Sequence, residues 1–311
     1  MTLTVVGSIA FDAVRTPFGE RERMLGGSAV HFSLAASFFC DVRIVGPVGE
    51  DFGEEEYAVL HARAINTDDI ERVLGGRTFF WRGHYDYDLN TAHTEATELN
   101  VFASFEPKLS PASREAEFLF LANIQPDLQR QVREQCTGAR FSAMDSMNLW
   151  IDTARDSLVR TIGAVNAVLL NDAELRVLTG EPNLLRAARA VLAMGPSAVV
   201  AKRGEYGAML FTADHVFSLP AYPLETVLDP TGAGDSFAGA FLGYLGGHAG
   251  GVDDVEALKR AVAYGTAMAS FNVEEFGTER VRRLSGEEIA ARVAELERMT
   301  RFSDLPAALR G

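Results

Sequence analysis

The stretch Asp229 to Phe241, DPTGAGDSFAGAF, sets a run of very small residues directly before an acid. Val227 and Leu228 read as the end of a buried strand, Asp229 to Gly234 as a turn, and the chain from Asp235 as a helix apolar on nearly every side. Gly232, Ala233 and Gly234 would let three successive backbone N–H groups face outward at the start of that helix. Unpaired donors and the positive end of the macrodipole meet there, which favours an anion such as a phosphoryl group. Asp235 follows at once, where a carboxylate could take a proton from an alcohol while the N–H groups hold the phosphoryl in transfer. An ordinary strand-to-helix turn with Asp235 as a cap uses the same residue types.

DPTGAGDSFAGAF closely resembles the C-terminal signature of the PfkB, or ribokinase-like, family of carbohydrate and nucleoside kinases. The resemblance implies that Asp235 is the catalytic base and that Gly232, Ala233 and Gly234 form the anion hole. Upstream, the pair Gly26-Gly27 and the run VGPVGEDFG resemble the family's N-terminal signature, which implies that Asp12, Gly26 and Gly27 hold substrate hydroxyls. Ribokinases carry an asparagine four residues after the second glycine, where it binds ribose. His31 stands there in this chain, so it is a candidate substrate ligand that makes ribose itself a doubtful acceptor, or else a satisfied core histidine.

Asn171-Asp-Ala-Glu174 resembles the family's NxxE motif. At a helix start, the i, i+3 spacing puts Asn171 and Glu174 on one face, where Glu174 could hold hydrated Mg²⁺ through water. The same spacing suits an N-cap with a reciprocal glutamate, and both roles are compatible. KRGEYGA resembles the nucleotide-phosphate segment, with Gly204 beside ATP and Lys202 as a phosphate contact or a solvated strand-end lysine. Asn272 to Thr278 resembles the adenine-side loop, with Gly277 its best-matched residue. The implied cofactors are ATP and Mg²⁺, with a monovalent cation such as K⁺ admitted.

These residues need a scaffold that brings strand ends together. Leu3 to Ile9 reads as a first buried strand with Asp12 just past its end, Val14 to Met24 as a surface hairpin, and residues 25–39 as an apolar helix. From Glu117 strands and helices alternate, which predicts a mostly parallel sheet with helices on both faces. Asn123, Asp145 and Asn148 fall beyond strand ends, where open α/β sheets bind ligands. Thr78 to Phe105 alternates aromatic and polar residues, as strands do when one face is covered. The expected fold is therefore a single ribokinase-like α/β three-layer sandwich over 1–311. A small β-sheet lid is expected from about 13–24 and 76–106, with Phe80, Trp81 and Tyr85 as lid core or substrate contacts. Such a lid can pair edge to edge in a homodimer.

Composition narrows the partners. The chain has 311 residues, 47% hydrophobic, with a formal charge of −14 and a mean hydropathy of +0.02. That acidity argues against nucleic acid and against an anionic membrane surface. Cys40 and Cys136 are too few for a disulfide framework or zinc site, as expected of a cytoplasmic protein. No apolar run approaches the length of a membrane span. The resemblance spans about residues 3 to 298, and no Walker-A motif is present. The expected activity is ATP-dependent phosphorylation of a hydroxyl, a primary alcohol for preference, on a neutral sugar or polyol. A nucleoside kinase is the alternative within the family, and a non-catalytic sugar or nucleotide sensor the alternative outside catalysis.

Overall fold

The computed structural model describes residues 1–248 and 254–301. Thirteen strands form two sheets among these residues. In chain order they are β1 (Thr2–Val6), β2 (Ala10–Thr16), β3 (Gly19–Gly26), β4 (Asp41–Val48), β5 (Asn66–Arg72), β6 (Phe79–Tyr85) and β7 (Ala92–Glu98). There follow β8 (Phe118–Leu121), β9 (Phe141–Met144), β10 (Ala167–Asn171), β11 (Ala198–Lys202), β12 (Ala208–Phe211) and β13 (Val216–Leu219).

The nine-stranded main sheet runs β13-β12-β11-β10-β9-β8-β1-β4-β5 and is parallel from β5 to β11, with β12 and β13 antiparallel at one edge. Its central strands, β1 and β8 to β11, are buried on both faces because each face carries a layer of helices, whereas the edge strands β5 and β13 are partly exposed. On β1, Leu3 and Val5 point into a core shared with the helices Ser28–Ala36, Ala233–Gly247 and Val255–Asn272, whereas Val6 points into the opposite one. That second core is closed by the helices Pro126–Gln135, Arg155–Ile162, Asp172–Thr179 and Leu184–Leu192. The result is the three-layer sandwich that the strand-helix rhythm implied.

From β1 the chain moves to β4 and β5 on one side, then returns to build β8 through β13 on the other. The strand order therefore reverses between β1 and β8, and the crevice beyond the strand ends at such a reversal is where α/β sheets bind ligands. Asn123 and Asp145 follow β8 and β9, and Asn171 and Lys202 end β10 and β11 as register partners.

The smaller sheet runs β3-β2-β6-β7, with β2 and β6 parallel and the outer pairs antiparallel. Two expectations about element limits are corrected here. The first strand stops at Val6 and does not reach Ile9. Gly7 lies where a Cβ would come within 2.6 Å of Ala122, so the chain bends there and Ala10 starts a lid strand. Asp12 thus belongs to the lid and not to the edge of the main sheet. Residues 227–228 are not a strand: Leu228 N–H donates to the carbonyl of Val273 (2.8 Å), a loop contact. Between β9 and β10 the chain forms two helices, Asn148–Thr153 and Arg155–Ile162.

Candidate active site

The turn before the helix Ala233–Gly247 is held from both sides. The buried Asp229 carboxylate accepts from the N–H of Thr231 through Oδ1 (2.9 Å) and from the N–H of Gly277 through Oδ2 (2.9 Å). It therefore ties the turn to the loop that was expected to face adenine. Gly232 has φ +74° and caps the helix, a left-handed conformation suited to glycine. The cradle is narrower than three open donors. The N–H of Ala233 donates to the carbonyl of Pro230 (3.2 Å), whereas those of Gly232 and Gly234 have no partner among the described residues.

Asp235 stands in the first turn of this helix, part exposed to the cleft. Burial pushes its carboxyl up to about 7, the negative charge of Asp145 adds to that shift, and Lys202 opposes it. Lys202 Nζ lies 2.5 Å from Asp145 Oδ2, and a Cβ on Gly234 would sit 3.0 Å from the same nitrogen. The ammonium is thus packed beneath the open N–H groups. Burial works against its charge, but Asp145 and then Glu174 more than offset this and raise its pKa. Lys202 is therefore a paired cation at the floor of the site and not a solvated strand-end lysine.

Asn171 and Glu174 form a full capping box. Glu174 N–H donates to Asn171 Oδ1 (2.7 Å), and Asn171 N–H donates to Glu174 Oε2 (2.8 Å). One carboxylate oxygen is so used, and the other carries no protein hydrogen bond. Burial, then Asp145, raise the Glu174 carboxyl above the usual range. Among the described residues no group of three His, Cys, Asp or Glu side chains could cage a metal. Mg²⁺ carried by nucleotide phosphates needs no such cage, because it keeps most of its waters and meets the protein through one or two carboxylates. Glu174 beside Lys202 fits that use.

On the lid, the Asp12 carboxylate lies directly over Gly26, where a Cβ would come within 1.9 Å of Asp12 Oδ2. Gly27 has φ +93° and approaches the Ser8 carbonyl too closely for a side chain. Both glycines are thus required by the path of the chain around Asp12. Burial pushes the Asp12 carboxyl up to about 7, against the bond from the Gly27 N–H, while Asp229 and Asp235 add negative charge from across the cleft. Lid and nucleotide side also touch. Tyr85 Oη lies 3.2 Å from Thr231 Oγ1. A Cβ on Gly204 would be 3.2 Å from Asn90 Oδ1, and one on Gly277 would be 3.1 Å from Met24 Sδ.

Two candidates stand differently from expectation. The Asn123 amide is engaged by its neighbours: Nδ2 contacts Met147 Sδ (3.1 Å) and Oδ1 accepts from the indole N–H of Trp150 (3.0 Å). His31 is only 2% exposed, its ring packed against Gly232 and its Nδ1 3.1 Å from Asn272 Oδ1. Asp145, Asp229 and Asn272 are the site residues that motif reading did not assign. Only the position of Asp145 past a strand end signalled one of them.

A doubly supported turn with open donors, a carboxylate beside it and a lid carrying a second acid is the arrangement that phosphoryl transfer to an alcohol would use. The model of the pfkB family carbohydrate kinases matches residues 3–282, and the chain belongs to that family. A cytidine kinase of Thermococcus kodakarensis is 28% identical over 255 residues, covering 79% of this chain and 90% of the relative. A Burkholderia thailandensis nucleoside kinase solved with inosine superposes with a TM-score of 0.77 at 19% identity, over 94% of this chain and 97% of that one. A ribokinase II from E. coli described in complex with ATP and Mg²⁺ superposes with a TM-score of 0.76 at 18% identity, over 94% and 99%. The chain is accordingly a kinase of sugar or nucleoside substrates.

Proposed function

We propose that this protein transfers the γ-phosphoryl group of ATP to a hydroxyl of a neutral sugar, and that Asp235 is the general base. The observation that carries the reading is Asp235 itself: a carboxyl held near neutrality, one residue beyond the open N–H of Gly234 and close to the buried ammonium of Lys202. A base with a pKa near the working pH is best matched to moving a proton from an alcohol. Asp12, Gly26 and Gly27 hold the acceptor, a primary alcohol being the hydroxyl that most easily reaches Asp235. The N–H groups of Gly232 and Gly234, with Lys202, stabilise the phosphoryl in transit, and the Ala233 N–H keeps the turn closed. Mg²⁺, when bound with ATP, supplies positive charge to the phosphates, and Glu174 would hold its water shell. Gly204 and Gly277 flank the nucleotide, and a monovalent cation such as K⁺ is admitted as an activator.

Neutrality of the acceptor rests on charge. Asp12 faces it, whereas Arg15 is paired with Glu95 (2.8 Å) and Arg82 lies over the Phe80 ring on the other face of the lid.

A nucleoside acceptor is the second reading, and Trp81 favours it. Trp81 is the parallel register partner of Asp12, so both side chains leave the sheet on the same face. Its indole lies over Gly83, where a Cβ would come within 2.3 Å of the ring. A flat aromatic surface beside Asp12 suits a nucleobase. ATP consumption measured over sugars, polyols and nucleosides tests both readings, with Asp235→Asn as control. Turnover on none of them sinks the proposal.

The free cysteines Cys40 and Cys136 suit the ATP-rich, reducing cytoplasm. The exposed outer edge of β7 is the surface through which two lids would pair in a homodimer.

A further inference from the structure

For His31 the sequence left two roles open, acceptor ligand or core histidine, and its surroundings describe a third task. Asn272, at the end of the helix Val255–Asn272, places its side chain between three parts of the site. Its Nδ2 donates to the carbonyl of Thr231 (2.7 Å), which fixes the amide's orientation. Its Oδ1 then faces two neighbours, the Ser236 hydroxyl (2.9 Å) and His31 Nδ1 (3.1 Å). An amide oxygen only accepts, so His31 must carry its proton on Nδ1. His31 Nε2 is then a bare acceptor, buried and without a protein partner. Protonating the ring would bury an extra charge, and burial lowers the His31 pKa to about 4 despite the bond to Asn272.

The same ring is the floor under the turn. A Cβ added to Gly232 would lie 2.3 Å from His31 Nδ1, so the imidazole and the peptide at Gly232 are in direct packing contact. The turn is therefore supported from below by the ring and tied laterally by the amide that the ring orients. Preorganised donors stabilise developing charge only if they do not have to move at the moment of reaction.

We propose that His31 is a positioning residue. Through Asn272 and through contact with Gly232, it holds the anion-hole turn in its reactive shape, without binding the acceptor. This rests on the proposed phosphoryl transfer at this turn, a reading that loss of activity in Asp235→Asn tests separately.

His31→Phe keeps a planar ring over Gly232 and removes the Nδ1 donor. The expected result is a fall in kcat of about tenfold or more, with KM for acceptor and ATP within about twofold, the signature of an interaction that matters in the transition state. Asn272→Ala should show the same split, and the double variant should be no worse than Asn272→Ala alone, because both act through one amide. An unchanged kcat, a raised acceptor KM with kcat kept, or additive effects would each overturn the proposal. The middle result would return His31 to the acceptor pocket. If His31→Phe does not fold, ¹⁵N NMR of the histidine-labelled wild-type protein decides. A protonated Nδ1 and bare Nε2 on His31 support the strut, and a proton on Nε2 refutes it.

Discussion

Lys202 Nζ and Asp145 Oδ2, 2.5 Å apart, join the ends of β11 and β9 beneath the anion-hole turn. In the proposed mechanism the pair would hold a cation where phosphate charge collects, and Asp145 makes Asp235 harder to ionise. A charge largely withdrawn from water is tolerated only when partnered, and in the proposed mechanism a phosphate oxygen would join or replace Asp145 as that partner. Lys202→Met should therefore lower kcat/KM by roughly a hundredfold or more, the usual scale for removing one stabilising donor. Calorimetry should also find weaker ATP binding. ATP bound with normal affinity would leave Lys202 a purely structural ion-pair member.

Asp235→Asn preserves shape and removes the base. Turnover should fall by roughly two to four orders of magnitude, with ATP affinity and melting temperature close to wild type. Near-normal turnover on the true acceptor would remove Asp235 from the mechanism.

The pH profile follows from the same carboxyl. Asp235 must be ionised to accept a proton, so kcat/KM should climb with pH and level off above an inflection near its raised value of about 7. Asp145→Asn removes the nearby negative charge, and the inflection should move to lower pH. An inflection that stays put, or moves up, contradicts the assignment.

Glu174→Gln separates metal from cap. A glutamine oxygen can still accept from the Asn171 N–H, so the capping box and the melting temperature should persist. The Mg²⁺ concentration needed for half-maximal rate should rise, because the anionic oxygen is gone. An unchanged Mg²⁺ titration would confine Glu174 to the cap.

Asp12 has a stability signature of its own. Its carboxyl is raised from 3.8 to about 7, so in that window the folded protein holds a proton that the unfolded chain has released. The stability it contributes therefore falls as pH rises across the window, and the cost of the buried charge is complete above it. Asp12→Asn should gain about 2 to 4 kcal/mol over wild type near pH 8 and almost nothing near pH 4, while losing acceptor binding. Equal effects at both pH values in chemical denaturation would show that Asp12 ionises normally.

Neutral acceptors should exceed fructose 6-phosphate in kcat/KM, since a second phosphate would meet Asp12 while Arg15 is committed to Glu95. A phosphosugar that outran every neutral acceptor would require Arg15 to leave that pair.

Much of the site was legible because its chemistry is local. The Asn171–Glu174 box closes over three residues, and Gly232, which caps the helix Ala233–Gly247, stands three residues before Asp235. Backbone geometry and short-range hydrogen bonds encode such features within a turn or two, and a motif can carry them whole. The alternation of apolar strands with helices likewise implied two helical layers over a parallel sheet, because a strand buried on both faces has no polar side. The aromatic run carried a different local signal, polar and apolar residues in alternation, and its limits and those of the lid hairpin shifted by several residues.

Position across the fold was not legible. Asp145 meets Lys202 from 57 residues away, and His31 meets Asn272 from 241 residues away. Asp12 sits on the lid because the chain bends at a glycine pressed against Ala122. The sequence by itself determined which groups are candidates for the chemistry: Asp235, the small-residue turn before it, the capping Glu174 and the pair Gly26-Gly27. Only the tertiary structure decided which of them are free and which are held, since that depends on strand register and on how the helix Val255–Asn272 packs beside the turn. Those contacts join segments far apart in the chain, where no local spacing rule constrains the partner.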